Sequence, residues 1–170
     1  MMIKTISNTL TARNWPLLAL LLSLSLWLGA LAFQHIGGLQ PCQMCYWQRH
    51  AHKAVLVIAV LALLTRQTTM NRKWERRFLA LIGLAFLVSF GLAFWHMGVE
   101  YKWWDGPRSC MGEAVVVQAT DILKALESPV KTPSCGDVPW SMFGISMAGF
   151  NAIISMGAAL LSFYFVAKNK

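Results

Sequence analysis

Four stretches of this 170-residue chain are apolar, wholly or nearly, over the roughly 20 residues that a helix needs to cross a bilayer. Trp15 to Ile36 is the first, Phe78 to Met97 the third and Phe143 to Ala167 the fourth. The second is mixed. Ala54 to Leu64 is purely apolar but short, and extending it back to Cys45 gives a spanning length that includes Gln48, Arg49, His50, His52 and Lys53. Long cationic side chains near a helix end can snorkel to the interface, so the extension is tolerable. A helix with polar residues gathered at one end is also where a site would be built. The pattern predicts an all-α membrane protein, a bundle of four transmembrane helices at about 15–36, 45–64, 78–97 and 143–167, in one domain spanning residues 1–170.

Composition agrees: 56% of residues are hydrophobic, 13% are charged and 8 are tryptophan, too apolar for an ordinary soluble domain. The sequence Ala30-Leu31-Ala32 resembles a signal-peptidase site after Lys4 and Arg13. The apolar run is longer than a signal h-region of about 7 to 15 residues, however, and reads as a retained helix. The net charge of +8 is a topology signal. Arg66, Arg72, Lys73, Arg76 and Arg77 lie between helices two and three, with Lys4 and Arg13 at one chain end and Lys168 and Lys170 at the other. The positive-inside tendency places these stretches in the cytoplasm. Nothing in the pattern suggests a nucleic-acid surface.

The other side then holds a short turn at 37–44 and a long loop at about 98–142, which carries Glu100, Asp105, Glu113, Asp121, Glu127 and Asp137. Within that loop, "EAVVVQATDILKALES" reads as a short amphipathic helix, with Val115, Ala119, Ile122 and Leu126 on one face, lying along the interface. Trp95, Trp103, Trp104 and Trp140 fit an interfacial aromatic belt. In the fourth helix Gly144, Ala148, Ala152, Ser155 and Ala159 form a small-residue packing seam, and Asn151 is expected to make an interhelical hydrogen bond.

All four cysteines, Cys42, Cys45, Cys110 and Cys135, fall on the same outer side. Disulfides persist in the oxidising periplasm, so an even count confined there suggests disulfide chemistry. In "PCQMCYWQRH", Pro41 suits the first position of a helix, which puts Cys42 and Cys45 in its first turn. The helix N-terminus favours their thiolates. Arg49 follows Cys45 by four residues and leans back toward that sulfur, where its charge would stabilise a thiolate or an anionic acceptor. Structural zinc sites usually pair two closely spaced motifs, and the other two cysteines are far apart, so no metal is expected. Covalent haem attachment fails because Tyr46 stands where a histidine is needed. A b-type haem between helices two and three, held by two of His35, His50, His52 and His96, is the alternative from another class. A purely structural Cys42–Cys45 disulfide would close too small a loop to add much stability.

"PCQMCYWQR", "WHMGVEYKWWDGPRSC" and "PSCGDVPW", set among four helices, closely resemble the disulfide bond formation protein B (DsbB) family over nearly the whole chain. The resemblance implies an enzyme of the bacterial inner membrane, a monomer, that reoxidises a periplasmic thioredoxin-fold dithiol oxidase (DsbA-like) and passes the electrons to quinone, ubiquinone or menaquinone. Disulfide formation in exported proteins depends on that transfer. It further implies that Cys42 and Cys45 are the quinone-proximal pair, that Cys110 and Cys135 are the loop pair, and that Arg49 and His96 contact quinone. By the same likeness Cys110 receives the partner's attack, Cys135 then attacks Cys42, and Cys45 becomes the thiolate that reduces quinone. Gln43-Met44 and the wording of the loop depart from better-known members.

Overall fold

The computed structural model describes residues 11–66, 72–110 and 133–168. The amphipathic helix expected within 113–128 lies outside them. Four long helices dominate: α1 (Trp15–His35), α2 (Gln43–Thr65), α3 (Arg72–Glu100) and α4 (Met147–Lys168). Three are long and apolar enough to cross a membrane, α1, residues Lys73–Glu100 of α3, and α4. The exception is α2, whose N-terminal half carries the polar run from Gln48 to Lys53.

Each helix boundary has a local cause. Pro16 sits in the first turn of α1, and Gly37 and Gly38 end it, Gly38 taking φ +67° as the chain turns back toward α2. The start of α2 corrects the sequence reading. Cys42 itself is the N-cap, with extended backbone and a sulfur that accepts from the Cys45 N–H at 3.4 Å, and Pro41 lies one residue outside. A capping side chain must leave helical geometry to reach the orphan N–H groups, which Cys42 does here.

At 29 residues α3 is about 43 Å long, exceeding the hydrocarbon core of about 30 Å by more than two turns. It extends beyond the expected span at both ends, through the basic Arg72–Arg77 segment and through Gly98–Glu100. At its C-terminus, Trp103 N–H bonds Gly98 O and Lys102 takes φ +61°, which reverses the chain. Lys102 Nζ then donates to Gly136 O at 2.7 Å, tying this turn to the segment around Cys135.

The fourth helix begins later than expected. Residues 141–146 form a two-residue-per-strand hairpin, β1 (Ser141–Met142) against β2 (Ile145–Ser146). Phe143 and Gly144 both take positive φ at its tip, a two-residue turn that no helix can contain. Tyr101 Oη donates to Gly144 O and accepts from Ser146 N–H, anchoring the hairpin to the end of α3.

The closest packing is α4 on α3, while α2 bridges α1 and α3. Along α4 the small residues Ala148, Gly149, Ala152, Ser155, Ala158, Ala159 and Ser162 are buried, so the expected seam is present, with Gly144 left outside in the hairpin. Gly83 of α3 meets this seam, since a Cβ there would lie 3.0 Å from Ser162 Cβ. Ala19, Val55, Ala59, Leu79, Ile82 and Phe86 form an apolar cluster toward one end. A second cluster, of Cys42, Met44, Val99, Cys110 and Cys135, occupies the other.

Gly98 is placed where only glycine fits. A Cβ there would lie 2.1 Å from the Trp104 ring, which is held by its Nε1–H bond to Trp95 O. Gly98→Ala should therefore lose about 1–3 kcal/mol through overpacking, seen as a lower Tm in detergent. Gly91→Ala, with nothing within 4 Å, should not lower it.

Candidate functional site

The cysteines of both pairs converge. Cys110 and Cys135 form a disulfide, their Cα atoms 5.4 Å apart, while Cys42 and Cys45 are free thiols with sulfurs 3.0 Å apart. A short 3₁₀ turn, Arg108–Cys110, carries the first loop cysteine to the N-terminus of α2, and Cys135 N–H bonds Cys110 O at 2.8 Å. The sulfurs of Cys42 and Cys135 and a ring nitrogen of His96 all lie within 4.8 Å of one another. Cys135 is thus the loop cysteine set beside Cys42.

The loop pair is less open than a long loop suggests. Cys110 is 4% exposed and Cys135 fully buried, so a protein partner reaches them only if the 3₁₀ turn parts from the start of α2. Cys45 is more open, with exposed Tyr46 beside it. The Cys42 thiol is held well above its usual range, first by its side-chain hydrogen bond with Cys45 and next by burial. The last proton of the pair therefore stays on Cys42, pointing at Cys45. The fields of Arg49 and Glu100, opposite in sign, both act on Cys45.

Arg49 and His96 lie on opposite flanks of the first turns of α2. The Arg49 guanidinium donates to Gln34 Oε1 and to Ala30 O, both on α1, and sits 5.4 Å from the Tyr46 ring centre. His96, in the last turns of α3, is buried. Its Nε2 lies 3.4 Å from Cys42 Sγ and 3.9 Å from Glu100 Oε1, and its Nδ1 accepts from Gln48 Nε2 at 2.8 Å. Asn151 makes the interhelical bonds expected of it, to Gln48 and His52.

Two polar residues at this site were not singled out from the sequence. Glu100 reads there as a loop acid, yet it closes α3 one turn after His96, 5% exposed, with its Oε2 left without a partner among the described residues. The i,i+4 spacing from His96 would have flagged it had the helix been extended that far. From the sequence Gln48 reads only as a polar residue to be tolerated.

The same atoms decide whether a metal or haem could be held. Cys42, His96 and Cys135 have ligand-like spacing, but bonding to Cys110 removes the Cys135 thiolate that a cation would need. His52 binds Ser23 through Nδ1 and Asn151 through Nε2, and His96 is engaged at both ring nitrogens, so neither buried ring offers iron a free donor. His35 and His50 are exposed.

Paired cysteines, one pair bonded and one free, packed together at one end of a bundle of membrane-spanning helices, define a membrane thiol–disulfide oxidoreductase. Comparison with known proteins specifies the class. The chain matches the family model described as Disulfide bond formation protein DsbB over residues 12–165. It is 32% identical to the disulfide bond formation protein B of Shewanella loihica over 136 residues, 79% of this chain and 76% of that one. With the protein of the same name from Idiomarina loihiensis it shares 28% identity over 166 residues, covering 89% and 86%. The Acinetobacter baumannii protein is 28% identical over 120 residues, 69% of each chain. No solved structure matches the chain. The chain belongs to the DsbB family of disulfide bond formation proteins, membrane oxidoreductases of disulfide chemistry.

Proposed function

We propose that this protein reoxidises a periplasmic, DsbA-like thioredoxin-fold dithiol oxidase and transfers the electrons to membrane quinone. In this reading all four helices cross the inner membrane, both termini are cytoplasmic and every cysteine faces the periplasm. The observation that carries it is the adjacency of the two pairs: Cys135 of the bonded pair stands next to Cys42, with Cys45 at the more open edge.

The exchange steps follow from thiolate chemistry. With Cys42 and Cys45 oxidised, the partner's thiolate attacks Cys110 and releases Cys135 as a thiolate. Cys135 attacks Cys42, the Cys42–Cys45 bond breaks, and Cys45 leaves with the electron pair. The partner's second thiol then displaces Cys110 and departs oxidised. The freed Cys110 thiolate attacks Cys135, re-forming the loop disulfide and releasing Cys42. Cys42 and Cys45 then stand as the free dithiol found in the structure. Quinone, when bound, is the acceptor of two electrons and two protons.

Arg49 and His96 are the residues proposed to hold quinone. Arg49 fits, since a guanidinium has five N–H donors and its bonds to Gln34 and Ala30 leave others for a carbonyl oxygen. His96 stands on the sulfur side, behind Cys42, and reaches a ligand there only when that contact opens.

The decisive experiment supplies purified protein with a reduced periplasmic thioredoxin-like dithiol and follows quinone absorbance. Stoichiometric quinone loss is expected, and a haem spectrum without quinone reduction would overturn the reading. Topology is tested separately with single-cysteine variants and an impermeant thiol reagent on cells with a permeabilised outer membrane. Cys110 and Cys135, each as the single remaining cysteine, should label, and labelling only after the inner membrane is opened would reverse the orientation.

A further inference from the structure

From the cysteine site a continuous line of hydrogen bonds runs into the bundle, joining all four helices. Ser23 Oγ of α1 lies 3.2 Å from His52 Nδ1. His52 Nε2 lies 2.9 Å from Asn151 Oδ1, Asn151 Nδ2 donates to Gln48 Oε1 at 2.7 Å, and Gln48 Nε2 lies 2.8 Å from His96 Nδ1. His96 Nε2 then meets Cys42 Sγ at 3.4 Å, and Cys42 Sγ meets Cys45 Sγ at 3.0 Å. Ser23, Gln48, His52, His96 and Cys42 are all buried.

Amide groups give such a line a direction, because each has one end that only donates and one that only accepts. Reversing both amides together would give an equally closed set of bonds, so the direction must be fixed at an end. The His96 end fixes it. Nε2 faces the Cys42 sulfur at 3.4 Å, and that sulfur, its own proton directed at Cys45, can accept. Glu100 Oε1, the other neighbour of Nε2, is an acceptor when ionised. With acceptors on that side, the ring proton belongs on Nε2 and the bare lone pair on Nδ1, facing the Gln48 amide N–H. Every remaining bond then follows: Gln48 Oε1 receives Asn151, Asn151 Oδ1 receives His52 Nε2–H, and Ser23 donates to His52 Nδ1. Ser155 Oγ also lies 3.0 Å from Asn151 Oδ1 and 3.1 Å from Ser89 Oγ, its one proton serving either acceptor, and Ser89 itself lies 3.3 Å from His52 Nε2.

We propose that Gln48 and Asn151 are positioning residues that hold His96 as the Nε2–H tautomer, aligning a chain of donors from Ser23 through Cys42 so that all of them point to the Cys45 sulfur. Aligned hydrogen bonds polarise one another in a low-dielectric interior, so a distant member acts on the last. The inference rests on the proposed role of Cys45 as the leaving thiolate, the charge that such a chain stabilises. It also accounts for a cluster with the spacing of a metal site, since a proton on Nε2 blocks the lone pair a cation would use.

Two readouts test the proposal on the fully reduced, full-length protein in lipid. Imidazole ¹⁵N NMR assigns the tautomer of His96, and alkylation mapped by mass spectrometry gives the rate at Cys45. Wild-type protein should show Nε2–H at His96. Asn151→Leu, which frees the Gln48 amide to turn although it touches neither His96 nor a sulfur, should give mixed tautomers and slow Cys45 alkylation about three- to tenfold, the range expected for the net loss of one hydrogen bond. Gln48→Met should do the same with little change of volume, and it serves if the leucine variant fails to insert. An Nδ1–H tautomer in wild-type protein would overturn the proposal, as would unchanged Cys45 rates in both variants. Neither readout uses quinone or a partner protein, so absence of quinone reduction would count against the proposed function and not against the relay.

Discussion

Replacing Cys110 with alanine should lower dithiol-driven quinone reduction by at least about 1000-fold, the scale of losing a nucleophilic or exchanging group. The residual species should be informative. Without Cys110, the Cys135 thiol is left beside Cys42, within the 4.8 Å that also contains the His96 nitrogen. A Cys42–Cys135 disulfide should accumulate, detectable by peptide mapping under non-reducing conditions. The order of attack is read with a partner that retains only its nucleophilic cysteine and so cannot resolve the adduct. Wild-type protein should then link to it through Cys110. Loss of Cys45 should still permit that link, whereas loss of Cys110 should abolish it. Adducts mapping mainly to Cys42 or Cys45 in otherwise intact protein would reverse the relay. Because both loop sulfurs are buried, the adduct should form slowly with small thiols and faster with a partner able to displace the Arg108–Cys110 turn.

The second large effect is expected at Arg49. Arg49→Met should reduce kcat/KM for quinone about 10- to 100-fold, as expected for losing a positioned cationic donor, and leave exchange with the partner nearly intact. Arg49→Lys should fall between, since lysine keeps the charge and loses the planar fork. The guanidinium also ties α2 to α1 through Gln34 and Ala30, so a purely structural role would instead lower Tm in both variants without separating the two substrates. Unchanged kinetics across a quinone titration of Arg49→Met would leave Arg49 as that tie alone.

Much of this arrangement was legible in the sequence because lipid imposes simple rules on a chain. The run from Trp15 defines α1 to within a residue, and Asn151, a lone amide in an apolar helix, had to find a partner on another helix. Boundaries set by charge or turn chemistry were harder to read. Arg72–Arg77 and Gly98–Glu100 resemble flanks, yet both belong to α3, where intrahelical hydrogen bonds continue past the apolar stretch. Phe143 and Gly144 resemble the start of α4, but both adopt left-handed backbone in the hairpin. The adjacency of Cys135 to Cys42 is set by the α3 C-terminal turn and the Lys102–Gly136 bond, contacts far apart in sequence that no local pattern encodes. Gln48 escaped notice for a similar reason. A single glutamine carries no signal until Asn151 and His96 are brought to its two ends.

The buried polar line also has an end. Beyond His52 and Ser155, the next polar side chain along the α4 face is Ser162, seven residues on, about 10 Å by helical rise, and bonded to Trp15 and to Ala158 O. Ala158 and Ala159 fill the interval, in the cluster that also holds Val55, Ala59 and Phe86. A proton does not hop that distance through packed hydrocarbon, so among the described residues the line is a blind alley. Whatever protons two thiols give up on oxidation must pass to quinone or leave by the face where the cysteines lie. Turnover through this bundle should therefore carry no current from one side of the bilayer to the other.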